Sequence, residues 1–123
     1  MRWANVEKAM VTYLRRLGVA VYTETTGTMP SRYIRVERVG GSAEWISRDI
    51  DIEIRVVAET RSALWDLVAD IETAMYDLSG QEATPGIYID DVTVAFGFAW
   101  DPPANQNICA AIGTFTLTVR PAA

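Results

Sequence analysis

Between Arg48 and Val57 the chain alternates without a break: Ile50, Ile52, Ile54 and Val56 fall on one side, and Asp49, Asp51, Glu53 and Arg55 on the other. A period of two over that length is the pleat of a β-strand, whose successive side chains point to opposite faces. One face is apolar and the other charged, so the strand belongs to a sheet with one buried and one wet face. Tyr33–Val39 repeats the pattern, with Ile34 and Val36 against Tyr33, Arg35 and Glu37. Gly40-Gly41-Ser42 between the two predicts the connection of an antiparallel hairpin.

Two other stretches carry the helical period. From Trp3 to Leu17, Val6, Ala9, Met10, Tyr13, Leu14 and Leu17 recur on one face, opposite Lys8, Thr12 and Arg15, and Gly18 stands where a helix stops. From 60 to 78, Leu64, Leu67, Val68, Ile71, Met75 and Leu78 form the stripe. Asp66, Asp70 and Asp77 lie almost opposite it, and Trp65, Glu72 and Tyr76 lie on one flank. Val19–Thr23 reads as a short strand and Glu24–Ser31 as a loop. Ser79–Ile89, with Gly80, Pro85 and Gly86, reads as a loop long enough to carry function.

The chain ends in a further hairpin. Asp91–Trp100 alternates Val92, Val94, Phe96, Phe98 and Trp100 with Thr93, Ala95, Gly97 and Ala99, Asp101–Asn105 turns, and Ile108–Arg120 returns. The order predicts a single α+β domain over 1–123: a mostly antiparallel sheet of about five strands with two amphipathic helices on one face. Its expected core is Val6, Met10, Leu14, Ile50, Ile52, Ile54, Leu64, Leu67, Ile71, Phe115 and Leu117. The Val92–Trp100 strand is non-polar on both faces, and an apolar face that the helices cannot reach calls for a partner or for cover by the long loops. Association with other copies is the expectation.

Composition narrows the chemistry. The 123 residues include no histidine and one cysteine, Cys109, which removes the commonest general base, the usual triads, an internal disulfide and a cysteine-based zinc site. Half the residues are hydrophobic and 22% are charged, so a disordered chain is excluded. No apolar run approaches the ~18 residues of a membrane span, and no signal-peptide core opens the chain. Residues 1–61 hold ten bases and eight acids, whereas residues 62–123 hold Arg120 alone against eight acids. That balance argues against tight nucleic-acid binding.

Several constellations remain. Asp49, Asp51 and Glu53, about 7 Å apart along a strand face, could hold a hard cation or supply a carboxylate pair for glycoside hydrolysis. The plainer reading is a wet strand face paired with Arg35 and Arg55. Asp66, Asp70 and Asp77 could repel DNA or dock a basic partner, or simply be solvated; no base between Ser62 and Val119 relieves them. Gly40-Gly41-Ser42 and Thr84-Pro85-Gly86 lack the spacing of phosphate loops and read as turns. Ser42, Ser47 and Ser62 have no histidine to activate them, and Cys109 reads as a small core residue. Trp3 and Trp45 fit interface anchors and local lids equally well.

The stretch Met29-Pro30-Ser31-Arg32-Tyr33-Ile34-Arg35-Val36-Glu37-Arg38-Val39-Gly40-Gly41 resembles a segment of the tail terminator proteins of long-tailed bacteriophages. There a Pro-x-Arg-aromatic stretch enters a strand that ends in Arg-x-Gly-Gly. The Arg48–Ile54 strand, the Ala63–Leu78 helix and the closing Gly113–Arg120 strand also resemble the family's elements, in the same order over roughly residues 3–120. The resemblance implies a virion protein at the head–tail junction with no enzymatic activity, no fixed cofactor and no metal. Such proteins form a hexameric ring that caps the tail tube, stops its polymerisation and offers the head-joining surface. The implied partners are other copies, the tail-tube protein and a head-completion or connector protein. DNA passes through the ring without specific binding, and no membrane is involved. On that footing Trp45, Trp65, Tyr76 and Trp100 are interface candidates, Arg32, Arg35 and Arg38 face protein, and Glu82, Asp90 and Asp91 face the channel. A head–tail connector or tube subunit is the nearest alternative. A small ligand-binding domain or a carboxylate-based hydrolase is the alternative from another class.

Overall fold

Asn5 opens the first helix, α1 (Val6–Leu14): its backbone is extended and its side-chain carbonyl accepts the Lys8 N–H at 3.1 Å. That bond satisfies one of the donors a helix start leaves free, so α1 begins at the polar cap and not at Trp3 as the apolar spacing predicts. The last turn tightens into a 3₁₀ turn, Arg15–Leu17, and Gly18 ends it at φ +75°. The computed structural model, which describes residues 3, 5–25, 27–43, 48–102 and 108–120, then runs β1 (Ala20–Tyr22), β2 (Tyr33–Ala43), β3 (Arg48–Ala58), α2 (Arg61–Leu78), β4 (Gln81–Thr84), β5 (Ile87–Trp100) and β6 (Cys109–Val119). Thr60 caps α2, accepting the Ala63 N–H at 3.1 Å.

The strands form one sheet in the order β1-β2-β3-β6-β5-β4. Only β1 and β2 are parallel; every other neighbouring pair is antiparallel. The β2–β3 and β5–β6 hairpins are joined by the β3–β6 ladder, in which Ile52 lies opposite Phe115 and Ile50 opposite Leu117. Both helices cover the face to which these residues point. Residue α1 contacts reach β1 and β2 at one end of the strand order and β4 at the other, so the sheet curls around the helix. Tyr13 ties the two helices together, its phenol donating to the Ala74 carbonyl at 2.5 Å. All eleven expected core residues are buried in one cluster.

Three expectations are corrected. Gly40-Gly41-Ser42 does not connect the hairpin but lies inside β2, with Gly40 opposite Asp51 and Gly41 opposite Ile50 after a break in register at Arg38/Gly40. Gly41 sits at φ +133°, and a Cβ there would come within 2.0 Å of the Asp49 carbonyl oxygen, so the glycine serves close backbone approach in a bulge. Ser79–Ile89 is not a long loop. It holds β4 and the start of β5, joined at Pro85-Gly86, and Gly86 at φ +85° supplies the positive dihedral that a type II turn needs after proline. The sheet therefore has six strands where five are expected. Lastly, Tyr33, expected to face water, is buried with Val57 and Ala110 in a small cluster on the helix-free face, against Ala20, Met29 and Ile108.

Candidate assembly surface

The register of β5 against β6 decides where its apolar side chains go. Val92 lies opposite Leu117 and Val94 opposite Phe115, so both point to the helix side. The register then shifts between Val94 and Phe96, which sets Phe96 opposite Thr114 on the helix-free face. A second shift returns Trp100, opposite Ala111, to the helix side. Phe98 is held inside, with its ring over Gly113 and edge-on to Phe115 at 5.9 Å between centroids. Its neighbours are not covered: Phe96 is 74% exposed, Val94 45% and Trp100 37%. Unlike the alternation read from sequence, β5 thus delivers large apolar groups to both faces.

The helix α2 adds to this surface. Arg61 lies over the Trp100 ring at 4.6 Å, and Trp65 is one helical turn further along the same side. Tyr76 follows three turns beyond Trp65, and both are exposed. Trp65, Tyr76 and Trp100 therefore share the β5 side of the molecule. Trp3 is half-buried against the core with its ring under the Arg48 guanidinium at 4.4 Å. Trp45 and Ser47 lie outside the described residues, as does most of the turn after Asp101.

The charged candidates are engaged within the chain. Arg32 pairs with Glu59, and that hydrogen bond holds the Glu59 carboxyl below its ordinary range. Arg35 bonds Glu53 at 3.2 Å and reaches Glu37 at 3.8 Å. Arg38 donates its backbone N–H to Glu7 at 2.9 Å, and its guanidinium makes no ion pair among the described residues. Glu82 accepts the Gly86 N–H across the β4–β5 turn at 3.3 Å. Asp90 is paired with Arg120 at 2.6 Å, and Asp91 accepts from Ser79 Oγ and from the Val92 N–H. All three sit on strands and not on a loop.

The carboxylate row on β3 is likewise occupied. Thr118 donates to Asp49 at 2.8 Å and Thr116 to Asp51 at 2.7 Å, while Glu53 takes Arg35. Arg55 turns away from that row to Asp101, at 3.1 Å, which corrects its expected pairing across the hairpin. Among the described residues no group of three or more acidic, cysteine or histidine side chains is placed to hold a metal ion. No helix among them is long and apolar enough to cross a membrane. Asp66, Asp70 and Asp77 line two grooves beside α2, one against Leu17 and Val19 with Arg32 in its wall and one against the end of α1 with Arg16, so bases from elsewhere in the chain meet these acids. The larger groove, about 420 Å³, has Leu17, Val19, Arg32, Glu59, Asp66 and Asp70 in its walls. Cys109 is half-buried against the core.

Sequence reasoning missed Arg61 over Trp100 and the outward turn of Phe96, which the alternation groups with Val92, Val94, Phe98 and Trp100. Both depend on a register that a strand pattern does not contain.

No family model matches the chain, and no curated protein matches it. Among solved structures 22 chains match. One, whose name describes no function, is 14% identical at a TM-score of 0.59, covering 96% of this chain and 92% of its own. That likeness shows a shared fold.

Proposed function

We propose that the protein is a structural component of a virion, a tail terminator that forms a ring, most simply of six copies, on the end of a tail tube. The supporting observation is the exposed apolar surface of β5: Phe96, Val94 and Trp100 stand free on a single chain, on both faces of one strand. Burying a side chain of this size is worth about 1.5–3 kcal/mol, so leaving several in water favours association. The segments that carry the resemblance to tail terminators fall on β2, β3, α2 and β6, with β4, which the sequence reading lacks, added after α2. The carboxylates on β3 accept hydrogen bonds from threonines or pair with arginine, which gives them an electrostatic and structural role without calling on hydrolysis.

In this reading the ring stops tube growth and presents the surface on which a head-completion or connector protein docks. Glu82 and Asp91, both exposed, then face the channel through which DNA passes. The test is to add the purified protein to growing tail tubes and image them. Tubes of fixed length capped by one ring are expected. Long tubes built by this protein alone would make it a tube subunit, and rings found only on heads would make it a connector.

A further inference from the structure

On the side away from β6, β4 pairs with β5 only as far as Ile89. From Asp90 to Trp100 that edge meets no other strand among the described residues. Natural edges are shielded by charged side chains, proline, bulges or a covering element, because unpaired N–H and C=O groups invite another chain. Val92–Trp100 is interrupted by breaks in register but contains no charged residue and no proline. We infer that the open edge of β5 is the site at which a second copy of this chain adds, head to tail, through the edge formed by β1 and β2. The inference rests on the ring reading above and names the contact that would close it.

Charge selects this occupant. The open edge of β5 carries Asp91, exposed, and no base, whereas the β2 edge carries Arg38, whose guanidinium makes no ion pair among the described residues. A two-fold pairing of β5 with β5 brings Asp91 of both copies to one junction, whereas a head-to-tail contact brings Asp91 of one copy to the edge that holds Arg38 of the next. Strand direction agrees. Within the sheet β5 runs antiparallel to β1 and β2, so copies related by rotation about an axis along the strands extend the sheet with an antiparallel ladder. The receiving edge is also open: β1 covers β2 only over Tyr33–Arg35. A heterologous contact of this kind forms a ring if the rotation closes and a filament if it does not.

Two edge-blocked variants test the contact without knowledge of its register. One carries Val94→Lys with Phe96→Lys on β5; the other carries Tyr22→Asp with Val39→Asp on the opposite edge. All four positions are exposed, and melting curves of each variant report retained folding. Native mass measurement at ~1 mM, where a contact as weak as about −4 kcal/mol is half formed, is expected to show assemblies for the parent chain and single 13.6 kDa chains for each variant alone. An equimolar mixture is expected to give one-to-one pairs and nothing larger, because only one good junction remains. Dimers of the second variant alone would mean two-fold β5 pairing and overturn the inference, as would a mixture that stays monomeric or a parent chain that never associates. If the mixture pairs but the parent builds open filaments, the contact stands and the ring falls. If rings cap tubes and the β5 variant still builds them, the ring stands and the contact falls.

Discussion

Ile52 and Gly41 show how differently single residues reveal themselves. Ile52 is legible in the sequence because alternation alone assigns its face, and it is fully buried opposite Phe115. Ile52→Ala is expected to cost ~2–5 kcal/mol through the cavity it leaves, read as a fall in midpoint in a urea titration. Gly41 was not legible. Nothing in Gly40-Gly41-Ser42 distinguishes a turn from a bulge until the Asp49 carbonyl of the partner strand is in place. Tyr13 carries a pH dependence. Burial raises its phenol above 10.0, opposed by Arg16 and reinforced by Asp77. A folded value above the unfolded one means that this stabilisation is complete below pH 10 and is lost as pH rises through the folded value. Tyr13→Phe is therefore expected to lower stability by about 0.5–1.5 kcal/mol at neutral pH through the lost bond to Ala74, and to lessen the decline above pH 10. Melting temperatures of both proteins between neutral and strongly alkaline pH check it.

Among the elements, the helices and the long central strands were readable because each carries its own period, and Gly18 marks the end of the first helix. Thr60, which the period places inside the helix, is the cap that satisfies a donor at the start of α2, and Thr60→Ala is expected to cost about 0.5–2 kcal/mol in thermal unfolding. By contrast β4 was unreadable: four residues, Gln81–Thr84, are too few to show a period, and their pairing depends on β5. The candidate surface divides in the same way. Trp65, Tyr76 and Trp100 were legible as surface aromatics, but the arginine that links two of their elements was not, since Arg61 and Trp100 are far apart in sequence. Arg32, expected to await a neighbour's carboxylates, already holds Glu59 of its own chain, and Arg35 holds Glu53, as the plainer reading of the β3 row expects.

For the whole molecule the charge asymmetry and the sheet order matter most. Under the proposed ring, Glu82→Lys is expected to leave assembly intact and slow DNA ejection, measured by release of dye-labelled genome from particles; Asp90 is left alone because it holds Arg120, and Asp91 because it lies on the open edge of β5. Screening over about 8 Å confines the effect to charges near the channel wall, so raising salt should shrink the difference. The strand order was not legible, because which hairpin edges meet is a long-range choice that no local pattern encodes. That order has a consequence for birth of the chain on the ribosome. The strand at the centre of the sheet, β6, is made last, and its partner β3 ends 51 positions before β6 begins at Cys109. At about 5–20 residues per second, β3 waits several seconds with its inner edge unpaired. A copy stopped before Cys109 keeps two hairpins' worth of sticky halves and no seam between them. Such fragments should be captured by chaperones or degraded, so the finished chain is the first species in which the sheet exists.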